Sequence, residues 1–104
     1  MSSRLEALRA LVAKSPNNAA ARFGLANEAM KEGLYEEAVE ELQLYLGMHD
    51  DEGNAYGRLA EALLQLGRVE EAKSSLRKGI DASNRHGHPG MASEFELRLE
   101  EIHE

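Results

Sequence analysis

From residue 5 onward the apolar positions recur at steps of three and four, the spacing of one face of an α-helix. Leu8 and Val12 begin it within LEALRALVAKSPNN, and Leu25, Ala26, Ala29 and Met30 follow. Ala38, Leu42, Tyr45 and Leu46 make a third stripe, Leu59, Ala60, Leu63 and Leu64 a fourth, and Ala72, Leu76, Gly79 and Ile80 a fifth. Ala92, Phe95, Leu99 and Ile102 close the chain, with Glu94, Glu96, Glu100 and Glu101 off the stripe. Six amphipathic helices are therefore expected, and no alternating pattern of the kind a strand needs is called for. Gly33 and Gly67 stand where a helix ends in a left-handed residue. The short joins that they make predict antiparallel neighbours. Pro89, after the loop SNRHGH, suits the first turn of the last helix.

The pattern repeats. KEGLYEEAVEEL at Lys31 to Leu42 returns as QLGRVEEAKSSL at Gln65 to Leu76, an offset of 34 residues. Aligning Ala19–Glu52 with Gly53–His86 gives eight identities: Ala21/Ala55, Leu25/Leu59, Ala26/Ala60, Gly33/Gly67, Glu36/Glu70, Glu37/Glu71, Ala38/Ala72 and Leu42/Leu76. About two would arise by chance at ordinary residue usage. Each copy reads as a helical hairpin in which small Ala26/Ala38 and Ala60/Ala72 let the helices approach while the leucines fill the space between. The paired glutamates open each second helix, where the free N–H groups and positive dipole end favour anions.

Repeats of 34 residues built as helix, glycine turn, helix resemble the tetratricopeptide repeat. The residues carrying the resemblance are Leu25-Ala26, Ala29, Gly33, Tyr35, Ala38, Leu42 and the turn at Asp50, then Leu59-Ala60, Leu63, Gly67, Val69, Ala72, Leu76 and Ile80. The sequence departs from the family at Arg22 and Tyr56, where Trp is usual, at Ala26 and Ala60, often Gly, and at Asp50 and Asn84, often Pro. The resemblance implies an all-α, right-handed α-α superhelix of about six antiparallel helices. Residues 1–104 would form a single domain, with a lone N-terminal helix at 3–14, repeats at 19–52 and 53–86, and a capping helix at 89–103. The layout is similar to that of short bacterial tetratricopeptide proteins.

The resemblance also implies where a ligand would lie. First helices of such repeats line a concave groove, and the matching positions here are Ala20, Phe23, Asn27, Met30 and Lys31, then Asn54, Gly57, Glu61, Leu64 and Gln65. The expected groove residues are therefore Phe23, Asn27, Met30, Lys31, Asn54, Glu61, Leu64 and Gln65. Phe23 and Met30 also fit a packing role against neighbouring helices. The family members that clamp acidic tails use lysines, asparagines and an arginine along this face. Only Asn27 matches that set, so a neutral or basic protein segment is the better expectation.

Composition narrows the remaining choices. Twelve Lys and Arg against nineteen Asp and Glu give a formal charge of −7, which opposes nucleic acid and anionic membrane surfaces as partners. Cysteine is absent, removing disulfides and thiolate chemistry. No apolar run reaches the length of a membrane span, and the charged N-terminal stretch lacks a signal-peptide core, so a soluble cytoplasmic protein is expected. His86 and His88 flank one glycine but have no evident third ligand, so they read as a solvated turn; His49 and His103 stand apart from them. Asp50, Glu52, Asn54 and Glu61 echo a calcium-loop spacing, but Ala55 occupies the position that needs glycine, and Asp50 or Asp51 serves better as a helix cap. No phosphate-binding loop and no nucleophile, base and acid set emerges, so neither an enzyme nor a cofactor is expected. A non-catalytic protein-interaction module follows, with a structural or self-assembling homo-oligomeric subunit as the alternative.

Overall fold

A computed structural model describes residues 3–102. The expected capping helix reaches His103, which lies outside the described residues. The elements are α1 (Ser3–Lys14), α2 (Ala19–Lys31), α3 (Tyr35–Met48), α4 (Asn54–Gln65), α5 (Val69–Arg85) and α6 (Pro89–Glu101). Every regular element among the described residues is a helix. The chain divides into two compact units, the first ending at Asp50 and the second beginning at Asp51.

In the first unit α2 and α3 form a hairpin and α1 packs on α2. Ala26 and Ala38 are fully buried with Leu42, and Leu25 and Val39 are nearly so. An alanine on each helix lets the two backbones close up, and the leucines then occupy the gaps beside them. Asn18 caps α2, its Oδ1 accepting from the Ala21 N–H at 3.0 Å. Ion pairs tie α1 down: Arg4 Nε donates to Glu28 at 3.1 Å, and Arg9 grips Glu37 through Nε at 2.9 Å and Nη2 at 2.6 Å.

That two-pronged hydrogen bond from Arg9 holds the Glu37 carboxyl below its ordinary range. A carboxyl whose folded-state pKa is depressed contributes stability that is present above the unfolded value and lost as pH falls through the folded one. Urea midpoints of the parent chain should therefore fall more steeply on acidification below about pH 4.5 than those of Glu37→Gln. Parallel curves for the two proteins would show that the pair adds nothing.

In the second unit α5 packs against both α4 and α6. Ala60, Ala72, Leu63 and Leu76 repeat the close-packed interface of the first hairpin. Asp51 stands two residues before the N-cap and accepts from the N–H groups of Gly53 at 2.8 Å and Ala55 at 2.9 Å. The expected cap is thus Asp51, acting from further upstream than a usual N-cap side chain.

One expectation is corrected here. The stretch from Ser83 was expected to be a loop, with Asn84 as a turn former, but α5 continues through both residues to Arg85. Ala82 and Ser83 are fully buried, and Ser83 Oγ donates back to the Gly79 carbonyl at 2.6 Å, so this turn is held by packing despite its turn-prone composition. The stop is Gly87. Its N–H bonds the Asn84 carbonyl at 3.2 Å, and the His88 N–H bonds the Ser83 carbonyl at 2.8 Å. The same pair of bonds closes α2 around Gly33 and α4 around Gly67, and the three glycines share φ values of 75°, 73° and 76°. Three hairpins, α2/α3, α4/α5 and α5/α6, therefore use one turn.

Around Gly33 nothing lies within 4 Å of an added Cβ. Gly33→Ala should cost only the left-handed backbone penalty, about 1 kcal/mol, and lower Tm by roughly 4–8 °C. A thermal melt reads this directly, and an unchanged Tm would refute the strain.

Candidate functional site

The eight expected groove residues fall four to each unit. In the first, Phe23, Asn27, Met30 and Lys31 lie on α2. Phe23 is half-buried with its ring centroid 4.8 Å from that of Tyr45 on α3. It is committed to the hairpin interface as well as partly exposed. Tyr45 in turn lies 5.1 Å from the His49 ring. Met30 is also half-buried, Lys31 is exposed and pairs with Glu28 at 3.7 Å, and Asn27 is half-buried with its Oδ1 enclosed and accepting no hydrogen bond among the described residues.

Beside them, Arg22 explains how this chain does without the usual aromatic. It is 8% exposed, its Nη1 donates to Glu41 on α3 at 2.7 Å, and its Nη2 donates to the Pro16 carbonyl at 2.8 Å. A long aliphatic stem fills the space while the fork finds two acceptors at its end.

In the second unit the four expected residues line hollows. Asn54 and Glu61 of α4 lie in the wall of a cavity of about 340 Å³, completed by Gly57 and Arg58 of α4 and by Met91, Glu94, Phe95 and Arg98 of α6. Leu64 and Gln65, with Ala60, Leu76, Glu61 and Arg98, enclose a smaller hollow of about 140 Å³. Glu61 and Arg98 belong to both. The wide hollow is at the low end of the roughly 300–1,000 Å³ typical of ligand sites.

Gly57 was expected to be exposed and is instead buried. A Cβ there would stand 2.7 Å from Phe95 Cε1 and 2.9 Å from Cζ, and one on Gly79 of α5 would stand 3.0 Å from the other edge of the same ring. The α6 side of the cavity was missed by sequence reasoning, which assigned that helix only a capping role. A signal was present: Gly57 and Gly79 align with Phe23 and Tyr45 at the 34-residue offset. Two aromatics that touch in the first copy are both glycine in the second, and Phe95 fills the vacated volume.

Arg98 lies over the Phe95 ring, its Cζ 5.7 Å from the centroid. At the other end of α6 the His88 ring nitrogen Nε2 contacts the Glu52 carboxylate, joining the α5–α6 turn to the segment before α4. Among the described residues no three metal-ligating side chains come together, and no helix is long and apolar enough to cross a membrane.

The family model described as tetratricopeptide repeat matches residues 29–86, from the last turn of α2 through α5. No curated protein matches the chain. That match spans more than half of the 104 residues, and it takes in the α4/α5 hairpin and the turns at Gly33 and Gly67. The chain belongs to the tetratricopeptide repeat family, whose repeats are generally protein-interaction modules and typically not enzymes.

Proposed function

We propose that the chain is a non-catalytic module that docks a peptide or protein segment on the exposed sides of its first helices. Phe23, Asn27, Met30 and Lys31 of α2 would supply contacts in one unit, and Asn54, Glu61, Leu64 and Gln65 of α4 in the other. The observation that carries this reading is the pair of hollows between α4 and α6. Their linings include the exposed Asn54, Arg58, Glu61, Leu64 and Gln65 of α4, and they mix a large apolar residue with amide and charged groups, the composition expected of a recognition surface.

The test is affinity capture with the parent chain and with a Glu61→Ala/Leu64→Ala double variant. Both positions are exposed, so the variant should keep its helical circular dichroism while losing specific partners. Retention of every specific partner would sink the α4 reading. A second reading, self-assembly, draws on Leu44 and Met48, exposed one turn apart on α3. A monomeric mass at all concentrations in light scattering would remove it.

A further inference from the structure

The wide hollow between α4 and α6 gathers charged side chains of both signs. Among the described residues, Arg4, Arg9, Arg22, Arg68 and Arg85 are each ion-paired to a carboxylate. Arg58, Arg77 and Arg98 are not, and of these Arg58 and Arg98 line one cavity together with Glu61 and Glu94, which likewise have no ion pair. The chain as a whole carries a charge of −7, yet this cavity holds two cations and two anions.

The packing sets where Arg98 lies. Gly57 and Gly79 leave room for the Phe95 ring, the ring fixes the floor, and Arg98 lies against it. The guanidinium brings a planar fork of N–H donors to this wall, a geometry suited to a carboxylate. Glu61 and Arg98 line both hollows, so the narrow one has both signs of charge in its wall beside Ala60, Leu64 and Leu76.

Resting on the docking reading above, we infer that this groove selects an extended peptide segment that is neutral overall but carries both signs of charge. An aliphatic side chain fills the hollow beside Leu64, an acidic side chain reaches Arg98, and a basic one within about three residues reaches Glu61 or Glu94, since an extended chain advances about 3.3 Å per residue. A segment with only acids would leave two carboxylates facing like charge, and one with only bases would do the same to the arginines.

The test uses a displayed library of random hexapeptides selected on the immobilised full chain, in parallel with Arg98→Glu and with Arg98→Gln, each checked for helical circular dichroism. The expected result is enrichment of sequences with an acidic and a basic residue flanking Leu, Ile, Val or Met. Arg98→Glu should replace the acidic position by a basic one. Arg98→Gln should weaken the parent's best peptide by about tenfold, the worth of one charge-assisted hydrogen-bonded contact. Enriched peptides of a single sign, or purely apolar ones, or a consensus indifferent to both Arg98 variants, would overturn the inference while leaving peptide docking intact. No enrichment above the bare support would bring down the docking reading and this inference together.

Discussion

Phe95→Ala should destabilise the protein by about 4 kcal/mol, within the range for emptying a buried phenylalanine site. The side chain is 4% exposed, and it meets α4 and α5 at positions where neither helix offers a Cβ. Gly57 and Gly79 cannot relax into the space it leaves, because the atoms that would do so are missing from both. Total stability for a domain of this size is about 5–15 kcal/mol, so the loss would be a large share of it and should show as a strongly reduced urea midpoint. The paired substitution isolates the cause. Gly57→Ala alone should destabilise, since its Cβ would stand 2.7 Å from the ring. In a Phe95→Leu background the same methyl should be neutral or stabilising, a coupling of about 1 kcal/mol or more between touching sites. A loss below about 1.5 kcal/mol for Phe95→Ala, or additive behaviour of the pair, would mean that the ring does not hold α4, α5 and α6 together.

The same residue marks the boundary of what the sequence made legible. Helices α1 to α6 follow from three- and four-residue steps, and the turns at Gly33 and Gly67 from glycines at equivalent places in two copies, both local signals. Gly87 forms the same turn but closes a second helix, 20 residues after Gly67. At that distance it falls out of register with the 34-residue echo, and the preceding Ser, Asn and Arg looked like its loop. The α4 positions Asn54, Glu61, Leu64 and Gln65 could be placed from the repeat alone. Their neighbours Met91, Glu94 and Arg98 could not, because α6 is not a copy of anything earlier and its register against α4 is set by one ring seated on two glycines. Arg22 and Glu41 are a similar case. Their pairing needs two faces that the 34-residue repeat does not constrain, since the second copy has Tyr56 and Ser75 there, and Ser75 Oγ instead donates to the Tyr56 carbonyl at 2.7 Å. The repeat conserves the approach of the helices while each copy solves the polar contact differently.

Gly53→Ala should be the costliest of the glycine substitutions at a turn, at about 3 kcal/mol, against about 1 kcal/mol for Gly33→Ala. Two causes add at Gly53. Its φ is 135°, a region that L-residues with a Cβ adopt at a cost of about 1–3 kcal/mol. Its added Cβ would also run into Ser83 Oγ, stand 2.8 Å from Met91 Sδ and lie 3.4 Å from the Gly79 carbonyl oxygen. Ser83 has no room to yield, being fully buried in α5 with its hydroxyl donated to Gly79. Nor can the backbone rotate to escape, because the Gly53 N–H is held by Asp51, whose same oxygen also fixes the Ala55 N–H. The substitution therefore sets the cap of α4 against the packing of α4 on α5, and one of them must loosen. Removing the obstruction separates the two causes: in a Ser83→Ala background, Gly53→Ala should recover about 1 kcal/mol of the loss, leaving the backbone cost. Chemical denaturation of the four proteins gives the cycle directly. Equal losses in both backgrounds would assign the whole effect to φ, and a loss no larger than that of Gly33→Ala would show that α4 and α5 tolerate the extra methyl where they meet.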